Sequence, residues 1–407
     1  MKGLNAMFLN ISWGWTPYEV LQPMNAIIRM MIVLGVLQAS SVWGGELTWR
    51  KVKLYYDSNE ACEIEDFNND GWLDISAGRN LYLAPAFVPQ PLRDVGEHGV
   101  DYAANNGEHA YDVDGDGWLD LIAGSFMERE VYWYRNPGPG GLARAKLWKK
   151  QLLRETAEQN EITFFRDLVG SFAPELVVNS WNQSNAMLFW EIDDSVTPPS
   201  LKKNHVGALN GHGIGFGDIN GDGREDLLFQ GGWYERPLNP SLGEWVLHRD
   251  WEYKQAGCPM IVVDLNADGR NDVIWGRGHA YGLYWMEQLP PSDGKTRWNE
   301  HTIDDSWSQA HAMLWQDLDN DGQAELVTGK RVRAHSGGDP GADEPAALYF
   351  YRWHPEQEVF SRHLIDTGDA GTGLFIRSAD LDRNSWPDLV VAGKSGTFIF
   401  FGEGFQK

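Results

Sequence analysis

The chain has 407 residues, 42% hydrophobic and 23% charged, with 20 Trp, 14 Tyr, 17 Phe and 45 Gly, which supplies a large core and argues against disorder. Against 34 Lys and Arg stand 58 Asp and Glu, a net charge of −24, which excludes a phosphate-backbone binder and a polybasic membrane-surface protein. Two cysteines, Cys62 and Cys258, exclude a disulfide scaffold and are expected as free thiols in non-neighbouring repeats.

In the first 44 residues, Arg29 precedes a short apolar run, Met30–Leu37, and then small residues up to Gly44. This is the shape of a secretory signal, shorter than a bilayer span, behind an over-long start. The expectation is a removed leader at 1–44 and a secreted or periplasmic chain at 45–407 without a membrane span.

From there one pattern recurs, Asp-x-Asp/Asn-x-Asp-Gly-x-x-Asp/Glu, at intervals of 46 to 63 residues. The copies are Asp66–Asp74, Asp112–Asp120, Asp218–Asp226, Asp264–Asp272 and Asp317–Glu325, with Asn384-Ser385 replacing Asp-Gly in Asp380–Asp388 and most acids lost in Asp167–Glu175. Calcium takes six to eight hard oxygen ligands. Positions one, three, five and nine offer side-chain oxygen, and position seven its carbonyl. The predicted ligand sets are Asp66, Asn68, Asp70, Trp72 and Asp74; Asp112, Asp114, Asp116, Trp118 and Asp120; and Asp218, Asn220, Asp222, Arg224 and Asp226. The later sets are Asp264, Asn266, Asp268, Arg270 and Asp272; Asp317, Asp319, Asp321, Gln323 and Glu325; and Asp380, Asp382, Asn384, Trp386 and Asp388. An EF-hand would need its Glu at position twelve and flanking helices, whereas here the acid comes at position nine between strand-like runs. Twenty carboxylates occupy positions one, three, five and nine of these six loops, so much of the negative charge is assigned to metal sites.

Each loop sits between two apolar runs. Aromatic runs follow at Val131–Tyr134, Met187–Trp190, Leu283–Trp285, Leu348–Tyr351 and Phe398–Phe401, and fourth strands at Leu147–Leu153, Leu201–Val206, Trp245–Arg249, Arg297–Ile303 and Val359–Ile365. Four strands per unit, repeated seven times, predict an all-β fold, a seven-bladed propeller of about 52 residues per blade. The last repeat lacks a fourth strand, and Leu47–Tyr56 is expected to supply it and close the ring.

These loops resemble FG-GAP/VCBS calcium repeats, as in integrin-type propellers. The segments Gly211–Trp233 and Ser306–Pro345 further resemble the propeller part of aldos-2-ulose dehydratases and their bacterial relatives. That resemblance implies elimination of water from keto-sugars. The cupin-like domains of the fungal members have no counterpart in this sequence, so the resemblance carries over a propeller-borne elimination and not the isomerase step.

Six positions before each loop lie Glu60, Asn106, Glu161, His212, Cys258, His311 and Leu374, one register at the channel rim opposite the loops. Two carboxylates, two imidazoles and a thiol stand where apolar residues are usual. His109 lies nearby. The turns between second and third strands add Arg277, His279, Lys330, Arg331, Arg333 and His335, with the aromatic Trp181 and Trp233, while Trp307 lies close before His311. The insertion Arg331–Pro345 could be a lid or a plain surface loop.

Elimination beside a carbonyl needs a base, an enolate stabiliser and an acid. The candidates are His212 or His311 as base, Arg277 and Lys330 as stabilisers, and His279 or His109 as acid or metal ligand. Glu60, Glu161, Trp181, Trp233, Trp307, Arg331, Arg333 and His335 are the candidate substrate contacts. Zinc or another divalent metal could sit on the histidines, although no compact HxH or HExxH motif is present. The leading expectation is a monomeric carbohydrate lyase or dehydratase acting on a keto-sugar or uronate. The alternatives are a non-catalytic glycan- or protein-binding propeller and a glycosidase using Glu60 with Glu161.

Overall fold

The strand-rich pattern predicts antiparallel meanders, and the sheets are built that way. The computed structural model describes residues 46–405 apart from 100, 158, 171–172 and 293–294, so the expected leader lies outside the described residues. Residues Thr48–Gly404 form one compact unit. The fold is an all-β propeller. Its first repeats give four-stranded sheets of Glu63–Glu65, Asp74–Ala77, Asn80–Leu83 and Val88–Pro91; of Glu108–Tyr111, Asp120–Ala123, Glu130–Arg135 and Lys149–Glu155; and of Asn160–Arg166, Glu175–Ser180, Met187–Asp193 and Ser200–Gly207. Ala310–Gln316, Glu325–Lys330, Ala347–His354 and Val359–Thr367 make another. In the last, Ile376–Ala379, Asp388–Gly393 and Gly396–Phe405 are completed by Leu47–Tyr55, the N-terminal strand expected there.

The remaining two repeats share one eight-stranded sheet. Ile214–Gly217 pairs in parallel with Met260–Val263, inner strand to inner strand, through Gly215↔Met260 and Phe216↔Ile261. Glycine permits this approach: a Cβ on Gly215 would lie 2.7 Å from the Met260 carbonyl oxygen, and one on Gly217 2.3 Å from Val262 Cβ.

The aromatic third strands form the packing between sheets. Trp133, Trp190, Trp285, Tyr351, Phe398 and Phe400 are all buried, and Trp285 meets Trp353 edge-on with centroids 5.0 Å apart.

The loops are organised by their own carboxylates. The position-one acid accepts the amides of positions five and six, as Asp66 does from Asp70 and Gly71 at 3.1 and 2.8 Å. The position-nine acid does something the sequence did not suggest. Asp74 accepts the Phe67 amide at 3.1 Å and the Ala84 amide at 2.8 Å, tying the loop to the end of the third strand. Asp120, Asp226, Asp272 and Asp388 repeat this double bond. Position nine is thus a backbone strut as well as a candidate ligand. That explains why Glu175 survives in the degenerate third loop, where its carboxylate accepts the Leu168 and Val169 amides at 2.7 and 3.0 Å.

Candidate functional site

Glu161 at the start of its inner strand, His212 just before Ile214–Gly217, His311 in Ala310–Gln316 and His279 in the turn after Asp272–Gly276 are brought to one place. All four are buried, and one ligating atom from each lies within 4.8 Å of the others. His311 Nε2 is 3.0 Å from Glu161 Oε1, and His212 Nε2 is 3.4 Å from the same oxygen. His279 Nε2 and His212 Nε2 stand 2.9 Å apart.

The proton positions follow from the outer partners. His212 Nδ1 lies 2.7 Å from the Ala256 carbonyl, which only accepts, so Nδ1 carries the hydrogen. His279 Nδ1 lies 2.6 Å from Asp339 Oδ2. Burial would raise Asp339, but the bonds from His279 and His335 outweigh it and hold it at about 2, so it accepts too. Were both rings neutral, their Nε2 lone pairs would face each other across 2.9 Å, which is repulsive unless a proton or a metal cation lies between them. Burial pushes His279 down to about 4, which disfavours an imidazolium there. For Glu161, burial is outweighed by His212, His311 and the Arg331 charge, which hold the carboxylate well below its usual range. Burial and the Arg331 charge likewise keep His311 neutral. The set is two imidazole Nε2 atoms with fixed tautomers, a third imidazole and a carboxylate, a donor chemistry that suits a divalent transition metal.

Arg331 sits beneath this cluster. Its Nε and Nη2 donate to Glu60 at 2.8 and 3.0 Å, and Nη1 reaches Glu161 at 3.3 Å. A cavity of about 770 Å³ opens above, lined by Glu161, His212, His279 and Arg331, by Trp181, Tyr102, Phe126 and Met127, by Gln183, Gln230 and Gln255, and by His98, His335 and Ser336.

An FG-GAP-like repeat model matches residues 264–328. The chain is also 23% identical over 245 residues to integrin alpha-PS2 of Drosophila melanogaster, covering 57% of this chain and spanning 14% of that protein's length. Among solved structures, BBS1N in complex with ARL6DN superposes with a TM-score of 0.50 at 14% identity, over 89% of this chain and 97% of that one. The exotype rhamnogalacturonan lyase YesX gives a TM-score of 0.45 at 12% identity, over 90% of this chain and 75% of that one. The chain is a β-propeller carrying an FG-GAP-like repeat. At these identities the structural likeness speaks for the fold alone.

The propeller brings Glu161, His212, His279, His311, Arg331, His335 and Trp181 to one cavity or its floor, with Glu60 behind Arg331. Other sequence candidates lie elsewhere. His109 is a core residue: it stacks on Phe165 at 4.8 Å, bonds Thr163 at 3.0 Å and is pushed down to about 3 by burial. Trp233 is buried, stacked on His248 at 4.0 Å and bonded to Asp250. Trp307 is buried with its indole on Tyr351. Lys330 is spent on Ser308 Oγ and the Gly341 carbonyl, at 2.7 and 2.6 Å. Arg333 pairs with Asp101 at 2.9 Å, and neither it nor Arg277 lines the cavity. Of the rim register, Leu374 is apolar core, and Cys258 is a buried free thiol pushed up by burial, as is Cys62. Asn106 bonds the Ser125 carbonyl at 2.9 Å. Missed by the sequence reading were Tyr102, Phe126, Met127, Gln230, Gln255, His98 and Asp339. Asp339 had one usable signal, its place four residues after His335 in the insertion.

The acidic loops show a mixed picture. Asp112, Asp114 and Asp120 bring three carboxylates within 4.8 Å, as do Asp317, Asp319 and Glu325, and Asp380, Asp382 and Asp388. Arginines pair with carboxylates of these and the other loops: Arg135 with Asp114 at 2.7 Å, Arg352 with Asp319, Arg224 with Asp222 and Arg270 with Asp268. Among the described residues no helix is long and apolar enough to cross a membrane.

Proposed function

We propose that this protein is an exported carbohydrate lyase, a calcium-stabilised seven-bladed propeller with a divalent transition metal on Glu161, His212, His279 and His311. The seven-blade reading takes the eight-stranded sheet as two blades joined along Ile214–Gly217 and Met260–Val263. The acidic clusters fit calcium in donor chemistry, with the arginines as the countercharge calcium would displace. The observation that carries the function is the buried carboxylate with three imidazoles under an open cavity, two of them with their Nε2 atoms 2.9 Å apart.

The reaction class is removal of a proton beside a sugar carbonyl, followed by loss of water or a glycosyl group from the next carbon. A metal bound there supplies Lewis acidity toward the carbonyl oxygen. The chain's own residues do the rest. Trp181 offers a stacking face for the ring. The side-chain amides of Gln183, Gln230 and Gln255 line the cavity and bond no other described residue, leaving them for sugar hydroxyls. His335 and His98 are the cavity imidazoles outside the buried cluster, placed to move a proton. Arg331, committed to Glu60 and Glu161, holds the cluster's carboxylate ionised rather than meeting substrate.

The test is ultraviolet absorbance with a panel of keto-sugars and uronic-acid oligosaccharides, because elimination creates a conjugated chromophore. A signal that rises with the native protein and falls at least 100-fold in folded His212→Ala is expected. A flat trace across the panel would overturn the lyase reading in favour of a glycan- or protein-binding propeller.

A further inference from the structure

Glu161, His212 and His311 come from inner-strand positions and His279 from a turn between strands, whereas the Asp339 carboxylate that meets His279 comes from the insertion 331–345. Resting on the metal reading above, we propose that this insertion is a strap that locks the metal centre through Asp339, and that strap docking and metal occupancy are coupled. Asp339 bridges two imidazoles: Oδ2 accepts from His279 Nδ1 at 2.6 Å and Oδ1 from His335 Nδ1 at 2.7 Å. His335 in turn stacks on His279, centroids 4.2 Å apart and planes 9° off parallel. His212 takes its orientation from a propeller carbonyl, that of Ala256, whereas His279 takes its orientation from the strap. A carboxylate on the far nitrogen of a metal-binding histidine fixes its tautomer and raises its basicity. Asp339 is therefore a positioning residue.

The strap is pinned from several sides. Arg333 holds Asp101 at 2.9 Å, the His335 amide donates to Tyr102 Oη at 2.8 Å, and Lys330 reaches the Gly341 carbonyl at 2.6 Å. Arg333, His335 and Ser336 sit at φ of 53°, 48° and 55°, left-handed conformations that persist only where surroundings impose them. A docked strap orients His279 for metal; by reciprocity, metal on His279 favours the docked strap.

The experiment uses the full chain in saturating calcium, with zinc titrated against a chromogenic chelator and cobalt(II) as a spectroscopic probe. Asp339→Ala is expected to weaken zinc binding 10- to 100-fold, with Asp339→Asn intermediate. The visible cobalt spectrum should change in both variants while the melting temperature in calcium does not. Zinc should slow tryptic cleavage after Arg333 in the native protein and not in Asp339→Ala. Zinc binding equal to native in folded Asp339→Ala overturns the strap's role and leaves the metal reading standing. A native protein that binds no zinc or cobalt overturns both.

Discussion

His109 and His279 are buried imidazoles pushed down by burial to about 3 and about 4, and their partners decide what each does. His109 has one hydroxyl and a phenyl face, from Thr163 and Phe165, and is satisfied. His279 has a carboxylate on one nitrogen and a second imidazole's Nε2 2.9 Å from the other, a place where a shared proton or a metal cation fits. The partners lie 54 residues from His109 and 60 and 67 from His279, so spacing alone put both in the same candidate class. His109 also carries a pH dependence. Its folded pKa lies below the ~6.5 of an unfolded histidine, so below that pH the unfolded chain binds a proton the folded one refuses. Its contribution is fully present above pH ~6.5 and is lost as pH falls toward about 3, at up to ~1.4 kcal/mol per pH unit. His109→Phe, which keeps the stack on Phe165, is expected to flatten the acid limb of a denaturant-midpoint profile. An unchanged slope would place the acid sensitivity elsewhere.

At the scale of the element, the nine-residue loops were the most legible part of the chain, because each repeat carries its own turn glycine, acids and flanking strands. What spacing did not convey is that position nine has a second task. Glu175→Ala leaves the Leu168 and Val169 amides without their acceptor and is expected to cost about 2–4 kcal/mol. That loss should be the same with calcium or with excess chelator, because the third loop lacks the acids of positions three and five. Chelation should lower the melting temperature of the native protein, since carboxylates crowded in the other loops lose their counterion. An unchanged melting temperature would contradict the calcium assignment, and a calcium-dependent Glu175→Ala penalty would contradict the strut. The joined sheet escaped the sequence reading because the repeat pattern assigns each unit its own four strands, and the room that Gly215 and Gly217 leave for a neighbouring strand shows only in the structure.

For the whole molecule, closure by the N-terminal strand was legible, since a fourth-strand pattern stood without a repeat while the last repeat lacked one. The convergence of Glu161, His212 and His311 was legible for the same reason: a fixed offset from each loop puts them at one level of a ring. The cavity above them was not. Part of its wall comes from segments outside the repeat pattern, with Tyr102 from the stretch before the second loop and His335 and Ser336 from the strap, and such insertions have no register to count from. Substrate contacts at Trp233 and Trp307 failed for a related reason, since tryptophans in repeat-bound positions pack between sheets. The proposed chemistry requires the buried histidine cluster to be a metal centre. The most direct measurement is elemental analysis of the native protein, purified in calcium without added transition metal, beside Glu161→Gln and the double variant His212→Ala/His279→Ala. The prediction is close to one equivalent of a divalent transition metal per native chain, falling in Glu161→Gln and absent from the folded double variant. A native chain holding only calcium, or a double variant that keeps the transition metal, would contradict it.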